Sequence, residues 1–292
     1  MAGEVMLKDG EKLERIAALA LEAMLFEVSA TPKPGLVDRA NNGAHHDMDF
    51  FTFMASAAAL HTCFDRLANA GYAHRNEPVG QMLPILRSIG GEEERKMFSF
   101  THGVNTHKGM IFSLGLLSAV AGWALDKPSC SAENLCALTG EMCRGICDEF
   151  RDVRSKENLT KGERVFLAYG ILGARGEVEG GYQSVIVHSL PLYRALRSTC
   201  KELNVCLVQT LLCLVAHTMD SNIVSRHDLS AAEYAQEAAK EVLAKGGFFT
   251  QEGRNATYAL DEDFTERNIS PGGCADLLAV THFLYAYEET GL

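Results

Sequence analysis

Apolar residues recur along this chain at steps of three and four almost throughout, a period that admits helices and little else. In residues 11–28, EKLERIAALALEAMLFEV, the side chains of Leu13, Ile16, Ala17, Ala20, Met24 and Val28 fall on one stripe of an α-helix. Asp9 is placed to cap that helix and Pro32 to stop it. The same spacing predicts helices over residues 50–70 (ended by Gly71), 111–125, 132–153, 185–196, 203–219, 231–244 and 275–287, with a shorter one near 81–89 started or kinked by Pro84. Strand-like alternation is confined to SVIVHSL at 184–190, too short to anchor a sheet. The expectation is an all-α protein of roughly ten helices. With no internal repeat, low-complexity tract or Ser/Pro-rich linker, a single helical domain over residues 1–292 is expected.

Several function classes drop out on charge and hydropathy. A formal charge of −11 argues against a general nucleic-acid surface, which needs clustered Lys and Arg. The start, MAGEVMLKDGEKLER, carries no apolar core of a signal peptide. The apolar run 110–125 is shorter than the roughly 20 residues a bilayer needs and is broken by Gly115 and Gly122. Nine cysteines without a C-x-x-C pair, Cys130 among them, read as small buried hydrophobes in a reducing compartment. A soluble cytoplasmic protein is expected. A homodimer stays open, because an apolar stretch such as 55–60 suits a core and an interface equally.

The polar, glycine-bearing segments lie between the helices, where a bundle can aim several of them at one cleft. The first, EVSATPKPGLVDRANNGAHHDMDFF, is stiffened by Pro32 and Pro34 and carries Lys33, Asp38, His45, His46, Asp47 and Asp49. Carboxylates with adjacent imidazoles suit a divalent metal. Asp49 serves equally well as the cap of the next helix, whereas Asp38 has no helix start to serve. The second, GVNTHKGM, opens an apolar helix with Asn105 or Thr106 as cap and then places His107 and Lys108 in the first turn, where the dipole disfavours a cation. Free amides, flanking glycines and Lys108 there suit a phosphate chain, although no Walker motif is present.

The third segment, YGILGARGEVEGGY, reads as a glycine-rich loop in which Arg175 can fork onto a phosphate and Glu177 or Glu179 act as base or metal ligand. The fourth, HTMDSNIVSRHD, reads as a polar loop offering Asp220, Asn222, Arg226 and His227. In the fifth, NISPGGCADLLAV, Asp276 falls in the first turn of the last helix, where the helix dipole explains it.

In this order, these first, second, third and fifth segments resemble the triphosphoribosyl-dephospho-CoA synthase family, over about residues 21–287. The resemblance implies an enzyme, a pentosyltransferase. A ribose 2'-hydroxyl of 3'-dephospho-CoA attacks C1' of the ATP ribose, adenine leaves, and the triphosphate stays on the product. That product is the precursor of the prosthetic group of the citrate lyase acyl carrier, passed on to a carrier-protein transferase; related enzymes serve malonate decarboxylase. Such chemistry needs carboxylates near C1', a proton donor for adenine and a grip on the triphosphate. Residue type and position within the matching motifs suggest Asp38, Asp47, His107 and Glu177 as catalytic groups. Lys33, Asn105, Thr106, Lys108, Arg175, Asn222 and Arg226 are expected to bind substrate phosphates, with Mg²⁺ held by Asp47, Asp49, Glu179 and Asp220. A magnesium-dependent helical N-glycoside or ADP-ribosyl hydrolase is the alternative, and a non-catalytic nucleotide-binding module a third.

Overall fold

The computed structural model describes residues 8–127 and 131–292, so Cys130 and the charged start before Lys8 lie outside the described residues. Among the described residues there are fourteen α-helices and no strand. They are α1 (Asp9–Ser29), α2 (Phe50–Ala59), α3 (Cys63–Ala73), α4 (Leu83–Phe100), α5 (Lys108–Ala124), α6 (Ala132–Met142), α7 (Lys161–Tyr169), α8 (Gly173–Glu179), α9 (Leu190–Thr199), α10 (Leu203–His217), α11 (Ser221–Arg226), α12 (Leu229–Ala244), α13 (Gln251–Glu266) and α14 (Gly272–Thr290).

The sequence of α5 has no polar face because the helix has no solvent face: nearly every side chain from Met110 to Ala124 is buried. α1, α3, α4, α6 and α14 pack around it, and α1 lies against α14, joining the first and last helices of the chain. Small residues let α3 approach α5 closely. A Cβ built on Gly71 would lie 1.8 Å from the Ala119 carbonyl oxygen, and one on Gly122 would lie 2.1 Å from that of Ala68. Gly71 therefore sits inside α3 as a packing residue instead of ending it. Ala57, Ala59 and Leu60 are buried within the same chain, on the core side of α2.

Several expected boundaries move. The stretch 50–70 splits at Leu60–Thr62 into α2 and α3, and 132–153 breaks after Met142 into 3₁₀ turns at Ile146–Phe150 and Val153–Ser155. The helix begun by Pro84 runs on to Phe100, and α7 and α13 lie where none was expected. α7 has only nine residues and exposes Leu167 and Tyr169, and the buried face of α13 includes Gly253, Thr257 and Asp261, so neither shows a clean apolar stripe in the sequence. Residues 185–189, within the strand-like run, form a π-helical turn leading into α9. The segments around Arg175 and Asn222, read as loops, are the short helices α8 and α11. Among the described residues no helix is long and apolar enough to cross a membrane.

Candidate active site

A cleft of about 780 Å³ opens where helix beginnings meet. Its lining includes Lys108, Gly109 and Met110 of α5, Lys161 and Gly162 of α7, Gly173 and Arg175 of α8, Ser221 and Asn222 of α11, and Gly272 and Asp276 of α14. The starts of α5, α7, α8, α11 and α14 all contribute to the lining, and helix starts carry the positive end of a dipole, although Thr160 caps α7 and the Asp220 carboxylate takes amides of both α11 and α14. In α5 the amides of Gly109 and Met110 find no acceptor among the described residues. His107 occupies the N-cap position of α5 without a side-chain cap bond. Asn105 Oδ1 accepts from the Lys108 amide at 3.3 Å, and Thr106 Oγ1 donates to Ser56 Oγ at 2.8 Å. The dipole conflict at Lys108 is offset from α4, because its ammonium lies 2.6 Å from Glu94 Oε1 with the side chain 54% exposed.

The first polar segment folds into a tight turn beneath the cleft. Gly35 has φ +69°, and a Cβ there would lie 2.0 Å from the Ile269 carbonyl oxygen, so both conformation and space demand glycine. Its amide donates to Asp261 Oδ1 at 3.0 Å, and Asn41 Nδ2 donates to Asp261 Oδ2 at 2.8 Å. Asp38 is buried within the turn, accepting from the backbone amides of Lys33 (3.0 Å), Ala40 (2.6 Å) and Asn41 (3.0 Å). It shapes the turn without lining the cleft. What the turn delivers is Lys33, whose ammonium is paired with the Glu27 carboxylate at the cleft floor, both side chains being 1% exposed.

Of the other expected groups, Asp47, Asn105, Thr106, Lys108, Arg175, Asn222 and Arg226 line the cleft together with Lys33. Arg175 is held by Glu149 at 3.3 Å and stacks over Phe150. Arg226 Nη2 lies 3.4 Å from His45 Nδ1, with His45 Nε2 2.9 Å from Ser270 Oγ; burial and the Arg226 charge hold His45 down to about 4, so it is neutral.

His107 is fully buried behind the cleft, edge-on to Phe53, with Nδ1 2.7 Å from Ser56 Oγ. Burial and the Lys33 charge push it down to about 3, so it is neither a phosphate cation nor an acid for adenine. Glu177 accepts from the Ser184 hydroxyl and amide and ties α8 to the following turn, outside the cleft lining.

The four carboxylates expected to hold Mg²⁺ do not converge, and among the described residues no group of three or more His, Cys, Asp or Glu is arranged for a metal. Asp49 is the cap of α2, accepting from the Thr52 amide at 2.8 Å. Glu179 takes the amides of Gly145 and Cys147. Asp220 is buried and joins two helix starts, accepting from Asn222 N (2.7 Å) in α11 and from Cys274 N (2.9 Å) in α14. Asp47 is 66% exposed, its carboxylate 3.7 Å from His45 Nδ1. The residues present do not fit a protein-built magnesium site.

Sequence reasoning passed over Glu27 and Asp276. Glu27 sits on the apolar stripe of α1, where a carboxylate is anomalous, and that anomaly was the available signal. Asp276 looked like an ordinary first-turn acid. The structure instead sets its carboxylate against α5: a Cβ on Gly109 would lie 1.8 Å from Asp276 Oδ2. Among the described residues it makes no hydrogen bond or ion pair. Close burial, then the Glu27 and Asp220 charges, raises it well above the usual carboxylate range, with Lys33 opposing.

A helical fold with an anion-attracting cleft, a buried Glu27–Lys33 pair at its floor and an unpaired carboxyl group in its wall suits a nucleotide-using enzyme. Residues 13–291 match the model of the family described as ATP:dephospho-CoA triphosphoribosyl transferase, and the chain belongs to that family of transferases. It is 45% identical over 272 residues to the probable 2-(5''-triphosphoribosyl)-3'-dephosphocoenzyme-A synthase of Vibrio cholerae serotype O1 (strain M66-2), covering 92% of this chain and 87% of that protein. It is 41% identical over 276 residues to the 2-(5''-triphosphoribosyl)-3'-dephosphocoenzyme-A synthase of Escherichia fergusonii, covering 94% and 91%. To the protein of that name from Klebsiella pneumoniae it is 40% identical over 280 residues, covering 96% and 93%. No solved structure matches the chain significantly.

Proposed function

We propose that this chain joins ATP to 3'-dephospho-CoA. The 2'-hydroxyl of the dephospho-CoA ribose bonds to C1' of the ATP ribose, the C1'–N9 bond breaks, adenine departs, and the 5'-triphosphate is retained. The observation that carries the reading is the convergence of five helix N-termini on one cleft in a member of this transferase family. Substrate pockets commonly measure about 300–1,000 Å³, so a cleft of about 780 Å³ is in the upper part of the range.

A triphosphate that must survive the reaction is better held by fixed amides and cations than by a metal and base arranged to cleave it. The amides of Gly109 and Met110, with Lys108, Arg226 and Arg175, supply that grip, while Asn105 and Asn222 offer neutral donors and the Thr106 hydroxyl is taken up by Ser56. Because the carboxylates do not build a metal site, magnesium enters as part of the MgATP substrate. The glycosidic bond breaks with positive charge growing at the sugar, and the Asp47 carboxylate in the cleft lining, which no Lys or Arg neutralises among the described residues, is the group assigned to stabilise it. Asp38 acts indirectly, by fixing the turn that presents Lys33. On this reading the enzyme works in the cytoplasm, and its product passes to a carrier-protein transferase of the citrate lyase or malonate decarboxylase type.

Incubation with ATP, Mg²⁺ and dephospho-CoA, followed by mass spectrometry, should yield free adenine and the joined product in equal amounts. Folded protein that releases no adenine overturns the proposal. Adenine accompanied by free ribose 5-triphosphate marks a hydrolase that uses water in place of the hydroxyl.

A further inference from the structure

Six acidic side chains line the cleft, and five of them are already engaged. Glu27 pairs with Lys33, Glu94 with Lys108, Glu149 with Arg87 and Arg175, and Glu163 with Lys156, while Asp47 is mostly exposed beside His45. Asp276 is the exception: it lines the cleft, its carboxyl group rests against Gly109, and among the described residues it meets no cation and no hydrogen-bond donor. From this we infer that Asp276 is the proton donor to the departing adenine, a carboxylic acid lodged without a partner in the cleft wall at the first turn of α5.

The inference rests on the transferase reading above and names one of its catalytic residues. Adenine is a poor leaving group as an anion, and protonation of a ring nitrogen removes that barrier. A donor holds its proton towards neutral pH where like charges stand near it and no cation pairs with it. Asp276, half-buried in the cleft wall, has such neighbours. Glu27 of α1 and Asp220 at the start of α11 are acidic, Lys33 of the turn is spoken for by Glu27, and Lys108 of α5 is turned to Glu94. A neutral acid at this place also spares the triphosphate a repelling charge beside the α5 amides.

In the reaction the Asp276 proton goes to adenine as the C1'–N9 electron pair leaves with the base. The 2'-hydroxyl loses its proton to water as C1'–O forms, and solvent reprotonates Asp276 between turnovers. No oxidant or further reactant is needed.

N7-methyl-ATP tests this, because its cationic base departs without protonation. Asp276→Asn should lower adenine release from ATP by about 10²- to 10⁴-fold, with KM for ATP changed only a few-fold, yet release the methylated base at a rate within about tenfold of the unaltered enzyme. Equal losses with both donors, or no loss with either, overturn the inference. Should Asp276→Asn lack a cooperative melting transition, the unaltered enzyme decides. Its kcat/KM for ATP should fall with rising pH as the acid ionises, and the profile for N7-methyl-ATP should lack that limb; parallel profiles overturn the assignment. If the unaltered enzyme releases no adenine from ATP with dephospho-CoA, the transferase reading itself falls and this inference with it.

Discussion

Single residues around the cleft show how burial reassigns chemistry that residue type alone suggests. A histidine at a helix start beside a lysine reads as a phosphate contact. Inside the protein it is an uncharged group with Nε2 lacking a partner and Nδ1 bonded to Ser56. Its depressed pKa has a thermodynamic consequence. The unfolded chain takes up a proton on this histidine near pH 6.5, whereas the folded chain does so only near 3, so the stabilisation linked to it is complete above 6.5 and falls as pH drops between those values. By pH 5 the loss attributable to His107 should be about 2 kcal/mol. Denaturant unfolding across pH 5–7.5 should reveal it as a steeper acid decline in the parent than in His107→Gln. Superimposable slopes would show that the ring is not shielded. Asp38 carries the complementary lesson: it was noticed because it caps no helix, and its work is to cap a turn instead. Gly35, which that turn requires, stands in the sequence as one glycine among 26, and nothing local marks it out.

At the scale of elements, the termini of helices carry the function and their sides carry the stability. Asp220 belongs to both, because one carboxylate caps α11 and fixes the first turn of α14 through Cys274, positioning two of the five N-termini. Asp220→Ala leaves three amides without that acceptor and should cost about 2–4 kcal/mol in stability while raising KM for ATP, both readable from thermal melts and steady-state kinetics. Asp49→Ala removes a cap at α2 alone; it should cost less and leave KM unchanged, a contrast that a shared magnesium site would erase. Long amphipathic helices were legible from their stripes. The short α8 and α11 were not, because six or seven residues hold too few apolar positions to show a period and their glycines and polar groups imitate loops. The π-helical turn before α9 was legible only as an apolar run, since periodicity over five residues does not separate strand from helix.

Taken whole, the molecule brings several helix starts to one cleft while carrying a formal charge of −11. Anion affinity is therefore local, set by amides and a few cations, and not a property of the surface at large. Magnesium that enters as MgATP, as proposed, binds only together with nucleotide. Calorimetric titration of Mg²⁺ into nucleotide-free protein should give no saturable binding at micromolar concentration, and addition of ATP should restore it. Tight binding without nucleotide would contradict the site as drawn.

The sequence by itself determined the helical class, the five segments that bear polar chemistry and the family they belong to, because periodicity and motif order are properties of the chain alone. It also named most of the cleft's cations and amides, since Lys33, Lys108, Arg175 and Arg226 all reach the cleft. Which acids remain available was decided only by the tertiary structure. The availability of a carboxylate depends on what stands opposite it, and those neighbours come from helices far apart in sequence. Asp38, Asp49, Glu177, Glu179 and Asp220 are occupied by backbone or hydroxyl donors, whereas Asp276 is left open against Gly109, 167 positions earlier in the chain.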